Sequence, residues 1–248
     1  IKIPAAKSGS MVFGSAFHFA LQRLFEKMKA GNGTFPLQET MLDDFLWFMQ
    51  KNRDAFTPEE FVRRIEYGEK IIPEYYQAHI QQWHRNVHIE YNLRNVQLDG
   101  IPLNGKIDKI EFFGNNINVV DYKTGKFTNA RRKLQPPNDK EPNGGDYWRQ
   151  AVFYKILIDN NPQQSWQMDG VTFEFVEPNN DQYPTITIQV AAADVTTVSQ
   201  QIKQVWKKIQ NREFHTGCGK PDCEWCNFVK RNELYVHLNY LSEEEENI

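Results

Sequence analysis

No run of apolar residues in this chain approaches the ~20 that a membrane span requires, and no basic, apolar, small-residue leader opens it. A cytoplasmic protein with no membrane partner is the expectation. Cysteine is scarce. The 248 residues hold three, all between Cys218 and Cys226. So few, so close together, cannot staple a secreted domain; the x4 and x2 spacings of Cys218, Cys223 and Cys226 suit metal ligands before disulfides. His215, three residues before Cys218, would complete a Cys₃His zinc set, and three reduced, unliganded thiols are the plain alternative. Positive charge is not in excess either. A net charge of −3 excludes a histone-like coat, so contact with nucleic acid must come from a local basic patch. No internal repeat is visible, and no Ser–His or Cys–His pair marks covalent catalysis.

Hydrophobic residues at 40% and charged residues at 25% are ordinary for a globular protein able to bury a substantial core. The chain opens Ile1-Lys2-Ile3-Pro4 without Met, as a piece of a longer protein would. The acidic run Glu243 to Glu246 suits a solvated, frayed tail. Phe17, Ala20, Leu21, Leu24, Phe25 and Met28 recur at helical spacing and predict a helix over Phe13 to Ala30, with His18 on the same face. Two more helices follow, about Leu37 to Asn52 and Thr57 to Arg85; Thr57 is the cap of the second, and Pro73 kinks or interrupts it. His79, His84 and His88 are expected at the surface.

Strands are predicted at about Val87 to Leu98, Ile101 to Phe113 and Ile117 to Lys123, with turns at Asp99-Gly100 and Gly114 to Asn116. Asp108 lies on the second strand and Asp121 ends the third with Tyr122 and Lys123. Asp121 and Lys123 share a face and Tyr122 points away. Asp108 can meet Asp121 across the antiparallel pair. Two carboxylates and an ammonium on one sheet face are costly for a fold that wants only a core. They suit a site that binds a divalent cation and hydrolyses a phosphodiester; a surface ion pair on an exposed hairpin is the bland alternative.

Lys126 to Tyr147 reads as an aperiodic loop, and its Arg131, Arg132 and Lys133 either meet phosphates or form a solvated charge run. Asp146 to Asp159 is a helix on which Gln150 and Tyr154, four apart, share a face. Strands over Met168 to Val176 and Thr185 to Val190 put Glu174 and Glu177 toward solvent. A last helix, Val195 to Arg212, carries the stripe Ile202, Val205, Trp206 and Ile209. The division is one domain: a mainly helical part over 1–86, a catalytic core over 87–212 and a cysteine-bearing segment over 213–248.

The run Gly-Lys-Ile-Asp108-Lys-Ile, followed by Val-Val-Asp121-Tyr-Lys123-Thr-Gly, resembles the PD-(D/E)XK nucleases in the branch of the RecB and AddB nuclease domains. Gly-Ser-Ala-Phe-His18 looks like that branch's Gly-x-x-x-His, and Gln150-x-x-x-Tyr154 like its Gln-x-x-x-Tyr. The resemblance implies an α/β fold, a mixed sheet flanked by helices with an N-terminal helical elaboration. It implies a Mg²⁺- or Mn²⁺-dependent DNA exonuclease. Asp108, Asp121, His18 and the carbonyl of Tyr122 would hold the metal, Lys123 would act in catalysis, and Gln150 and Tyr154 would position DNA. Magnesium prefers oxygen, and an imidazole in the set suits manganese. The branch also implies single-stranded ends as substrate and a helicase, fused or separate, in DNA repair and recombination. Its AddB-like members carry a 4Fe–4S cluster, one cysteine before the histidine helix and three after the last helix. Here the x4 and x2 spacing departs from the usual x2 and x5, and no cysteine precedes Gly14. A nuclease fold that holds DNA or partners without cutting is the competing class, and sequence-specific restriction-type cleavage a further one.

Overall fold

In the computed structural model, residues 7–213, 217, 218, 221 and 223–231 are described; His215 and the acidic tail lie outside them. Helix α1 (Gly9–Ala30) starts earlier than its apolar stripe suggests. The cause is Ser8, extended and accepting the Met11 N–H at 3.3 Å, a cap worth about 1 kcal/mol. Helix α2 (Gln38–Lys51) buries Met41, Phe45 and Met49. Helix α3 (Pro58–His79) is capped by Thr57 and runs unbroken through Pro73. It stops at His79, short of Arg85, where the chain turns to bring Trp83 against Phe25, Phe35 and Tyr76.

The sheet comprises β1 (Val87–Leu98), β2 (Ile101–Phe113), β3 (Asn116–Lys123), β4 (Gln167–Phe175) and β5 (Thr185–Ile188), in that spatial order. All neighbours are antiparallel except β3 and β4. A parallel pair needs a crossover. Between β3 and β4 the chain forms a 3₁₀ turn (Phe127–Asn129), the one-turn helix α4 (Ala130–Lys133), and helix α5 (Asp146–Asp159). The segment expected to be an irregular loop is therefore partly helical. Helices α6 (Ala192–Gln210) and α7 (Glu224–Arg231) follow. The chain divides into two compact units, Ile1–Ser199 and Gln200–Ile248. No helix among the described residues is long and apolar enough to cross a membrane.

The sheet's two faces have different work. Val120 and Tyr122 point into a core with Phe17, Leu21, Phe25 and Tyr75 of α1 and α3. Asp121 and Lys123, one step along the pleat, point toward α5. Three expectations fail here. Glu174, placed in solvent by strand alternation, is buried and accepts the Tyr75 hydroxyl. His79 is not at the surface: its ring stacks on Tyr75 at 4.2 Å and faces Glu174. Glu177 is half-buried and accepts the Tyr67 hydroxyl at 3.1 Å. β4 is covered on both faces, so its polar residues need partners inside. His84 and His88 are half-buried, each against an aromatic ring. On α6 the expected stripe is not closed over, since Val205 and Ile209 are exposed.

Candidate active site

The site begins where two strands part. The β2–β3 ladder pairs Lys109 with Val120 and goes no further. One step on, Asp108 stands opposite Asp121, and the Asp108 carboxylate enters the gap. Its Oδ2 accepts the Tyr122 N–H at 3.0 Å, a donor the ladder would otherwise have used. The Tyr122 carbonyl faces the same gap and accepts from Nε2 of His18 at 3.0 Å. The other ring nitrogen, Nδ1, lies 3.4 Å from Asp108 Oδ2. Helix α1 delivers the histidine because Gly14 lets it approach: a Cβ there would sit 2.8 Å from Thr124 Oγ1, just beyond Lys123. The Gly-x-x-x-His spacing thus has a steric reason.

Helix α5 braces the other side. Tyr154 donates to Asp121 Oδ1 at 2.7 Å, and Gln150 Nε2 donates to the same oxygen at 2.8 Å. Gln150 turns its Oε1 to the Lys123 ammonium at 2.7 Å. The two α5 residues therefore grip the carboxylate and the ammonium together, as residues four apart on a helix can. Lys123 Nζ is 2.6 Å from Asp121 Oδ2, yet that buried oxygen accepts no well-directed hydrogen bond. It is a charge contact with a lone pair left over.

Electrostatics follow from the crowding. Burial pushes the Asp121 carboxyl above its usual range, and the Asp108 charge adds to it against Lys123 and Tyr154. Burial pulls the His18 imidazole down, but hydrogen bonding and charge from Asp108, with Asp121 and Glu90, leave it raised. Burial and the Asp121 charge drive the Tyr154 phenol far up, so it stays a donor.

Glu90 escaped the sequence reading. β1 pairs Ile89 with Lys109 and Tyr91 with Ile107, which sets Glu90 across from Asp108. Its backbone is left-handed, φ 51°, uncommon for a non-glycine residue and costly inside a strand. One ligand atom each of His18, Glu90 and Asp108 lies within 4.8 Å of the others, and Lys106 pairs with the Glu90 carboxylate. Counting back from the Asp99-Gly100 turn would have set Glu90 across from Lys109; an irregularity between Leu93 and Val96 shifts the register by one and brings it to Asp108. An imidazole, the carboxylates of Glu90 and Asp108, the Tyr122 carbonyl and the unsatisfied Asp121 oxygen fit a divalent cation that accepts oxygen and nitrogen ligands.

The basic cluster lies beside this centre through one ring. Tyr147 holds the Lys123 ammonium at 4.4 Å and the Lys133 ammonium at 5.0 Å from its centroid. Arg131 and Arg132 are exposed, and Arg132 pairs with Glu141 at 2.8 Å. In the second unit Cys218, Cys223 and Cys226 bring their sulfurs within 4.8 Å of one another. The Cys218 and Cys226 sulfurs are 3.6 Å apart. Gly217, at φ 66°, passes so near Cys226 that a Cβ would be 3.2 Å from its sulfur. The Cys226 N–H, ahead of the neighbouring thiols, brings the Cys223 thiol down to about 7.

A family profile described as the PD-(D/E)XK nuclease superfamily matches residues 2–231. Among solved structures, one described as "Putative exonuclease" from Eubacterium rectale is similar at 14% identity and a TM-score of 0.56. The likeness covers 91% of this chain and 76% of that one, and it is a likeness of fold. The structure of SSO0001 overlaps more loosely, at 13% identity and a TM-score of 0.34, over 80% of this chain and 75% of the other. No curated protein matches.

Proposed function

The chain belongs to the PD-(D/E)XK nuclease superfamily, and from that premise we propose that it is a divalent-metal-dependent deoxyribonuclease acting on DNA ends. One observation carries the reading. Asp108, Asp121, the Tyr122 carbonyl and His18 converge in the fork of the sheet, with Lys123 against Asp121. His18, Asp108, Asp121 and the Tyr122 carbonyl would hold Mg²⁺ or Mn²⁺, with Glu90 in reach. A cation bound there supplies Lewis acidity toward the phosphate and a more acidic water.

The chain's own groups do the rest. Lys123, held by Gln150 and the Tyr147 ring, is placed to orient the attacking water and to stabilise charge growing on the phosphate. Its side chain is 15% exposed, so water does not screen it fully and its field is strong. Tyr154 and Gln150 keep Asp121 in its rotamer and share its negative charge. Their position supports a bracing role, in addition to the DNA-positioning role that the family resemblance implies. Arg131, Arg132 and Lys133 would meet phosphates of the strand.

The motif branch further supports exonucleolytic action on single-stranded ends, in the cytoplasm, coupled to a helicase in repair or recombination. The domain would be one catalytic part of such a machine. At the cysteines we propose a metal. A zinc–sulfur bond of about 2.3 Å puts tetrahedral thiolates about 3.8 Å apart, near the 3.6 Å of Cys218 and Cys226. A 4Fe–4S cluster in the full-length protein is what the branch implies. End-labelled single- and double-stranded DNA, incubated with and without Mn²⁺, tests the nuclease reading. Metal-dependent shortening from an end supports it, and intact DNA under every condition overturns it.

A further inference from the structure

A cleft of about 230 Å³ opens on α3, lined by Glu60, Arg63, Arg64 and Tyr67, none of which the catalytic reading uses. It adjoins the end of the active-site strand. Tyr67 donates to Glu177 at 3.1 Å, and Glu177 directly follows Val176, whose N–H bonds the Lys123 carbonyl at 3.0 Å. From the other side, the Arg64 guanidinium lies 5.2 Å over the Phe13 ring, and Phe13 stacks on Tyr67 at 5.8 Å. Phe13 immediately precedes Gly14, which closes on Thr124. His18 comes five residues later, ~7.5 Å along the helix axis.

The two arginines of this cleft make no ion pair: neither Arg63 nor Arg64 has a carboxylate within ion-pair distance among the described residues, although Glu60 lines the same space. Glu177 is engaged by the Tyr67 hydroxyl, and the Phe13 ring, itself stacked on Tyr67, holds Arg64 in place before any ligand arrives. Planar guanidinium forks match phosphate oxygens bidentately. A cation fixed in advance loses little rotamer freedom on binding. Two guanidinium groups without ion-pair partners beside a phosphodiester-cleaving centre have an obvious anion to meet.

We propose that the α3 cleft is a second backbone subsite, binding a non-scissile phosphate of the strand whose scissile phosphate lies at the fork. The proposal rests on the nuclease reading and adds a path for the strand. Arg63 and Arg64 give affinity and register there and take no part in bond breaking.

The test separates this subsite from the catalytic claim. Binding of a fluorescent oligothymidylate is followed by anisotropy in EDTA, across a salt series, for the wild-type chain and for Arg63→Ala/Arg64→Ala. The subsite predicts affinity about tenfold weaker at low salt and a log–log salt slope shallower by about 0.7, the share of one single-strand phosphate. Arg63→Lys/Arg64→Lys should restore the slope. Unchanged affinity and slope overturn the proposal. In a second arm, turnover of bis(4-nitrophenyl) phosphate with Mn²⁺, a diester too small to reach the cleft, should be the same in wild type and double variant. If the double variant loses this activity as well, the arginines act on the fold and the proposal falls. If wild type cleaves neither substrate, the nuclease reading fails, and the binding arm still decides the cleft.

Discussion

Replacing Tyr154 with Phe isolates one contact at the site. The variant keeps the ring, which is 5% exposed, and removes only the hydroxyl that donates to Asp121 Oδ1 at 2.7 Å. A hydrogen bond to a buried charged group is worth about 1.5–3 kcal/mol, and at about 1.4 kcal/mol per decade that is roughly 10- to 150-fold in an equilibrium. Gln150 still donates to the same oxygen at 2.8 Å, which places the loss nearer tenfold. It should fall on metal affinity. Burial and Asp108 already raise the Asp121 pKa, and losing a donor raises it further, so the proton competes better with the cation. Outer-shell partners of metal ligands have effects of this size, about 10- to 100-fold. Rate against Mn²⁺ concentration is the assay. Tyr154→Phe should need about tenfold more metal for half-maximal rate and approach the wild-type rate at saturation. Superimposable metal curves with a raised KM for DNA would refute the bracing argument and leave Tyr154 as a DNA-positioning residue.

His18→Ala should raise the Mn²⁺ requirement; lower thermal stability with unchanged metal dependence would make it a core residue instead. Replacing Arg131, Arg132 and Lys133 together by Ala should weaken binding to every DNA sequence alike, with a slope shallower by up to about 0.7 per lost single-strand contact; an unchanged slope returns them to solvated charge. Glu174→Leu leaves the Tyr75 hydroxyl buried without its acceptor and should cost about 2–3 kcal/mol in urea unfolding, while Glu174→Gln costs less. Anaerobic purification with elemental analysis decides the cysteines: iron with sulfide indicates a cluster, stoichiometric zinc a Cys-based ion site, and neither metal contradicts the proposed site.

Local chemistry made much of this fold legible. Asp99-Gly100 and Gly114 supply the positive φ of the two turns, and the apolar stripe of α1 is the buried face of that helix. Asp121, Lys123, Gln150 and Tyr154 were readable because strand and helix periods put each pair on one side. What escaped depended on contacts remote in sequence. Glu174 looks exposed from alternation alone, and only the arrival of Tyr75 and His79 from α3 explains its burial. Lys109 is 1% exposed, paired with Glu111 and lying over Phe25 and Tyr122; nothing near it in the chain announces that. Glu90 required the β1–β2 register, and Ser8 lay outside the apolar stripe it starts.

The central claim is that the constellation at the fork cuts DNA rather than merely holding it. Lys123→Ala removes the ammonium beside Asp121 and leaves Asp108, His18 and the proposed phosphate contacts in place. Wild type and variant are given the same end-labelled single strand with Mn²⁺, and cleavage and binding are measured side by side. The account predicts a loss of at least about a hundredfold in cleavage rate, the scale of removing one group that stabilises transition-state charge, with affinity for DNA within a few-fold of wild type. Wild-type protein that cleaves no faster than Lys123→Ala would contradict it.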